Sequence, residues 1–254
     1  MAKPVSVNRI LKLMGNRFEF TVIAENGQEG NAAIDAAINE VRRIEYLLTT
    51  FSDLSQTSLI NEHAGLSPVN VDEEVISLIE RSVRISEITD GAFDITYGSI
   101  DKRLWNFDPG MTSLPDEATA LASVGLIDYR NVILDKEKST VFLKNKGMRI
   151  GFGGIGKGYA ADKAKLVLQK LGIKSGIVNA AGDLVTWGTQ LNGHSWTVGI
   201  ADPEQTDRPF SALKISDMAI ATSGSYEKFV TINGKRYSHT IDPKTGLPVS
   251  GVKS

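Results

Sequence analysis

The sequence contains no cysteine. That excludes disulfides, thiolate nucleophiles and sulfur-ligated zinc together. It leaves the compartment open, because exported and cytosolic proteins both occur without cysteine. Histidine is scarce: His63, His194 and His239 lie far apart in the chain, which argues against a histidine-built zinc or iron site. Any metal is expected to be a hard ion held by oxygens, magnesium first. Unbroken apolar runs are short, and none approaches the roughly 20 residues that a membrane span needs. Neither sign of charge dominates, with 28 basic against 30 acidic residues. Without a dense basic run, a nucleic-acid partner has no electrostatic footprint. The opening Met1-Ala2-Lys3-Pro4-Val5 lacks the apolar centre of a signal peptide. It fits either a cytosolic protein or a mature exported domain expressed without its leader.

What is present is enough apolar material for a core: 254 residues, 41% hydrophobic. Arg17 to Ala24 alternates as a strand, and Asn26-Gly27 reads as a turn. Ile34, Ala37, Ile38, Val41, Ile44 and Leu48 recur at helical spacing, which predicts a helix from about Gly30 to Leu48. A second helix is expected to about Ile88 with Asp72 as its N-cap. Pro115 fits the first position of a short helix, with Gly125 just past its end. Val132–Leu134 and Thr140–Leu143 read as paired strands, and Tyr159–Leu171 as a helix closed by Gly172. Strands then dominate: Gly176–Asn179, Trp196–Ile200, Ala212–Ile215, Ala219–Thr222, Phe229–Ile232 and Lys235–His239. Asn233-Gly234 is a strong hairpin signal between the last two. Helices first and antiparallel strands later predict an α+β fold, largely antiparallel sheets flanked by helices, in a single domain over 1–254.

Chemistry concentrates in Arg149-Ile150-Gly151-Phe152-Gly153-Gly154-Ile155-Gly156-Lys157-Gly158, just before the helix expected from Tyr159. Backbone N–H groups at a helix start bind anionic oxygen, glycines let a ligand approach the backbone, and Lys157 adds a full positive charge. This composition is that of a phosphate site. Gly151, Gly153 and Gly156 match G-x-G-x-x-G, but a dinucleotide fold requires a parallel sheet and an acidic residue ending the next strand, where Asn179 stands. Gly151 to Lys157 fits a P-loop until the magnesium-binding Ser or Thr, which here is Gly158. The plain alternative is a tight strand-to-helix connection that needs small residues.

Several further segments complete the picture: Lys157-Gly158-Tyr159-Ala160-Ala161-Asp162, Asn179-Ala180-Ala181-Gly182-Asp183, Ala221-Thr222-Ser223-Gly224-Ser225-Tyr226-Glu227 and Tyr237-Ser238-His239-Thr240-Ile241-Asp242-Pro243-Lys244-Thr245-Gly246. Together with Met14-Gly15, Ser58-Leu59-Ile60-Asn61 and Gly91-Ala92-Phe93-Asp94-Ile95-Thr96, they resemble, in order and over nearly the whole chain, the FAD:protein FMN transferase (ApbE) family. The resemblance implies a flavoprotein enzyme that cleaves FAD, releases AMP and joins FMN to a Thr or Ser hydroxyl of a target protein, with Mg2+ as cofactor. Its partners would be FAD and that target, in a periplasmic or exported setting, with membrane contact only through an N-terminal anchor that this sequence lacks. A cytoplasmic address stays open.

On this resemblance Lys157 and His239 are the candidate catalytic residues, Lys157 for charge on the phosphoryl oxygens and His239 as base or positioner of the acceptor hydroxyl. A hairpin histidine satisfied by backbone is the alternative for His239. Met14, Phe51, Ala92, Phe93, Asp94, Gly153, Lys157, Asp162, Ser223, His239 and Thr240 are the candidate FAD contacts. For Phe51 and Phe93 the competing role is core packing, and for Asp94 and Asp162 it is capping of a helix or turn. Trp105 reads as core, and Asp242 as the cap of the turn into Pro243. Gly154 offers a backbone carbonyl to magnesium, with the remaining ligands, an Asp and a Thr, expected beyond Ser254. On that basis the chain is read as lacking a C-terminal strand and helix, with weak metal binding and little activity as written. Gly151 stands where the family often has an Asp, so it inherits no side-chain role. Two other readings share the site: FAD pyrophosphatase, with water replacing the acceptor, and a non-catalytic FAD-binding module.

Overall fold

The computed structural model describes residues 3–101, 103–105, 111–202, 209–223 and 229–249. They form two compact units, the first of Met1–Tyr46 with Gly153–Ser223 and the second of Leu47–Phe152 with Gly224–Ser254.

The first unit is built on a five-stranded sheet. Strands β1 (Val5–Leu13), β2 (Asn16–Ala24), β6 (Ser175–Ala180), β7 (Asp183–Trp187) and β10 (Ala219–Ile220) lie side by side in that order. Every pairing is antiparallel, so the dinucleotide-fold alternative falls. Strict alternation along β2 puts Phe18, Phe20 and Val22, all 0% exposed, on one face. Each such side chain contributes about 1.5–3 kcal/mol by leaving water. Helix α1 (Gly27–Leu48) covers this face near its N-terminus, where a methyl on Gly30 would run into Val7 and Ala24. Helix α5 (Gly156–Lys170) covers β6 and β7 with Ala160, Ala161, Ala164 and Leu168. On the opposite face Ile177, Leu184 and Ile220 pack against Val198 and Ile215 of the β8 (Trp196–Ala201) and β9 (Pro209–Ile215) hairpin.

The second unit holds α2 (Gln56–Glu62), α3 (Glu73–Ile88), α4 (Glu117–Ser123), 3-10 turns at Ile95–Ser99 and Tyr129–Asn131, and two small sheets. One sheet has β3 (Val69–Asn70) and β4 (Val132–Asp135) on either side of β5 (Thr140–Leu143); the other is the hairpin β11 (Phe229–Ile232) and β12 (Lys235–Ser238). Trp105 is core, as expected, in a cluster with Ile100, Ala120, Val124, Val230, Ile232 and Ile241. Asn233 and Gly234 both take positive φ, as a tight two-residue hairpin turn demands.

Several boundaries differ from expectation, each for a local reason. Asn26 directly precedes α1, which starts at Gly27 rather than Gly30, and is not part of a free turn, because its Oδ1 accepts the Glu29 N–H at 2.9 Å. Pro115 lies outside α4; Asp116 caps that helix by accepting the Thr119 N–H at 3.0 Å. Asp72 does sit at the N-cap of α3, although its side chain makes no capping bond. The strand expected at Lys235–His239 ends at Ser238, and that expected at Ala219–Thr222 ends at Ile220. Strands β1, β3 and β7 and helix α2 are additions to the elements read from sequence. The α+β class holds.

Candidate active site

The topology of the five-stranded sheet sends several motif segments to one of its ends. Register pairs Leu13 with Asn16, so Met14 and Gly15 alone make the β1–β2 turn. Ala180 pairs with Asp183, so Ala181 and Gly182 alone make the β6–β7 turn. Phe18 lies opposite Ala180 on the neighbouring strand, which places both turns at the same end. Strand β10 leaves the sheet there too, and Thr222 lies against Gly182. Both turns carry a non-glycine residue in the left-handed region, Met14 at φ 49° and Ala181 at φ 55°. That conformation is costly for a residue with a Cβ, and a two-residue hairpin turn imposes it.

The glycine loop meets this end of the sheet through α5. The helix starts at Gly156, three residues earlier than the sequence suggests, so Lys157 and Gly158 belong to its first turn. Ile155 occupies the N-cap without a side-chain capping bond. First-turn amides are the positive end of the helix and are suited to anionic oxygen. Crowding does not demand glycine at Gly153 or Gly158, since a methyl at either would find open space among the described residues. Neither has the positive φ that forces glycine. At these two positions the tight-connection alternative lacks its cause, and backbone left bare beside a helix start is what a ligand would need. The Lys157 ammonium lies 3.5 Å from the Ala181 carbonyl oxygen and 3.7 Å from Asp183 Oδ2. Asn179 Oδ1 accepts the Gly182 N–H at 2.9 Å and pins the turn that supplies both partners.

In the second unit the approach to this loop is held firmly. Asn61 binds both backbone groups of Ile150, Ser99 Oγ accepts the Arg149 N–H at 2.8 Å, and the Gly151 N–H reaches the Ile95 carbonyl at 3.1 Å. The Gly91–Thr96 and His239–Gly246 segments also meet within this unit. Lys244 pairs with Asp90, and the half-buried Tyr97 hydroxyl meets the Ile241 backbone, residues that flank or belong to these segments. The Asp242 carboxylate accepts the Lys244 N–H at 2.8 Å, so it caps its turn as expected.

Of the predicted residues, Met14, Gly153, Gly154, Lys157 and Ser223 belong to the first unit, and register and contacts bring their segments to the sheet end just described. Asp162 lies further along α5, exposed, and does not cap the helix. Phe51, Ala92, Phe93, Asp94, His239 and Thr240 belong to the second unit. Phe51 is 96% exposed, which removes core packing as its explanation, while Phe93 is half-buried. Asp94 is buried and acts as a cap: Oδ1 accepts from the Thr96 N–H and hydroxyl at 2.8 and 2.6 Å, and Oδ2 from the Tyr129 N–H at 3.0 Å. His239 and Thr240 are exposed just after β12. The roles of Asn61, Asn179, Ala181 and Asp183 were not read from sequence. An Asn three residues before Gly182 is a recognisable turn-capping signal; nothing local announces the tie from Asn61 to Ile150.

Among the described residues no three His, Asp or Glu side chains converge to hold a metal ion. The Gly154 carbonyl is one oxygen where magnesium wants about six, so these residues do not by themselves fit a magnesium site. No helix among them is long and apolar enough to cross a membrane.

Comparison with known proteins gives consistent matches. The model of the ApbE family matches residues 14–254, across both units. An FAD:protein FMN transferase of Klebsiella pneumoniae (strain 342) is 34% identical over 210 residues, covering 82% of this chain and 64% of the relative. Another, of Treponema pallidum (strain Nichols), is 32% identical over 234 residues, covering 87% and 64%. The chain thus spans 64% of the length of each of these relatives. The crystal structure of the ApbE protein of Thermotoga maritima MSB8 aligns with a TM-score of 0.87 at 30% identity, covering 98% of this chain and 80% of that one.

Proposed function

The chain belongs to the ApbE family, and from that premise we propose that it transfers FMN from FAD to a Thr or Ser hydroxyl of a target protein and releases AMP. The observation that carries this reading is the bare backbone at Gly153 and Gly158, beside an N-terminus of α5 without a side-chain cap and the Lys157 ammonium. A pyrophosphate repels an incoming oxygen nucleophile, so charge must be spread over the phosphoryl oxygens before attack. The first-turn amides of α5 and Lys157 are suited to do that.

In the proposed reaction the acceptor oxygen forms a bond to the FMN-side phosphorus. The bridging P–O bond breaks, the bridging oxygen leaves with AMP, and the hydroxyl proton passes to a base. His239 is proposed as that base or as the group that orients the hydroxyl. Met14, Phe51, Ala92, Phe93, Asp162, Ser223 and Thr240 are proposed contacts to FAD. Asp94, whose two oxygens already accept three hydrogen bonds, is proposed to act by shaping the Ala92–Phe93 segment. Magnesium, with the Gly154 carbonyl as one proposed ligand, would add positive charge at the phosphoryl oxygens. An exported or periplasmic location is proposed on the family resemblance.

Incubation of the protein with FAD, magnesium and a threonine-bearing acceptor tests the reading. Covalent flavin on the acceptor with matching AMP is the expected result, in small amount, because the described residues do not by themselves fit a magnesium site. Free FMN with AMP would make it a pyrophosphatase, and FAD held intact would make it a carrier.

A further inference from the structure

Lys157 brings the full positive charge of the glycine loop, but a lysine ammonium is a point charge on a flexible four-carbon stem, and fixing it costs most of its rotamer freedom. Here its position is biased by two neighbours. Its two partners, the Ala181 carbonyl at 3.5 Å and Asp183 Oδ2 at 3.7 Å, come from the tip and the far side of the β6–β7 turn. The side chains of Lys157 and Asp183 are only 26% and 18% exposed, so the pair is partly shielded from water. The turn itself is rigid, with Asn179 holding the Gly182 N–H and Ala181 in the left-handed region.

We infer that Asp183 is a positioning residue for Lys157: it holds the ammonium beside the first turn of α5 so that the pyrophosphate of FAD meets a charge already in place. This rests on the reading of Lys157 as a phosphate ligand. The separation is longer than the roughly 2.7–2.9 Å of a direct charge-assisted bond, so the carboxylate orients the ammonium without consuming it. An ammonium has three donors, and with only the Ala181 carbonyl within hydrogen-bond distance it keeps donors for a phosphoryl oxygen. A purely structural Asp183 would affect folding, and its loss would weaken FAD binding regardless of what stands at position 157.

A double-mutant cycle on FAD affinity, read by flavin fluorescence, separates the two. Asp183→Asn is expected to weaken FAD binding about fivefold when Lys157 is present and by less than about twofold in a Lys157→Met background. Asp183→Glu, which restores the carboxylate, is expected to recover part of the loss. Equal weakening by Asp183→Asn in both backgrounds, or none in either, overturns the inference while leaving the loop as a flavin site. A wild-type protein that does not bind FAD, or a Lys157→Met variant that binds as wild type, overturns the reading of Lys157 and the inference with it.

Discussion

Asn61 and Ile150 are 89 residues apart, and the Asn61 side chain accepts the Ile150 N–H at 2.7 Å while donating to the Ile150 carbonyl at 3.1 Å. One amide group thus does for Ile150 what a neighbouring strand would do, immediately before Gly151. Both residues are buried. Asn61→Ala would leave two buried backbone groups unpaired and is expected to lower stability by about 2–4 kcal/mol, measured by chemical denaturation.

Gly246 closes the turn after Asp242 at φ 72°, and a methyl there would overlap the Ala120 carbonyl of α4. Gly246→Ala is therefore both strained and crowded against backbone that cannot rotate away. A loss of about 3 kcal/mol or more is expected, or failure to fold, read as a fall in melting temperature.

Much of the fold could be read from period and capping. The alternation of Phe18, Phe20 and Val22 and the helical spacing of Ile34 to Leu48 are direct records of one buried face. Strand β1 was hidden because Arg9 interrupts its inward face, where it pairs with Asp35 of α1. Strand β7 was hidden because four of its five residues are buried, which erases alternation. The turns at Met14-Gly15 and Ala181-Gly182 were also obscure, since Met and Ala rarely take the left-handed conformation that two-residue hairpins need. In the site, the glycine loop announced itself by composition. Capping by Asp94 was legible as one of its two roles, since Thr96 lies two residues on; its bond to Tyr129 and the contact of Asp183 with Lys157 depend on segments far away in sequence and leave no local trace.

Tyr97 packs in the second unit beside Ile100 and Ile241, and burial raises its pKa against the opposing hydrogen bond from the Ile241 backbone. A raised folded-state pKa gives stability that is complete below the unfolded value, near 10, and lost as pH rises through the folded value. Stability should therefore fall above about pH 10. Tyr97→Phe should lose less stability over that range, which urea denaturation at pH 8 and 11 would measure.

Phe51 is 96% exposed, so truncation removes no core packing. Phe51→Ala is expected to change stability by no more than about 0.5 kcal/mol and to weaken FAD binding about three- to tenfold, the scale of one aromatic contact. Unchanged affinity would remove Phe51 from the proposed FAD contacts.

The central claim is that the backbone from Gly153 to Gly158, with Lys157, receives the FAD pyrophosphate. Titrating FAD into the wild-type protein and Gly153→Ala, with melting curves for both, tests it most directly. The open space and permitted φ at Gly153 mean that the variant should fold as stably as wild type, within about 0.5 kcal/mol. The added methyl should still obstruct the phosphates and weaken FAD binding at least about tenfold, the scale of one lost hydrogen bond to a charged group. A Gly153→Ala protein that folds normally and binds FAD as tightly as wild type would contradict the account.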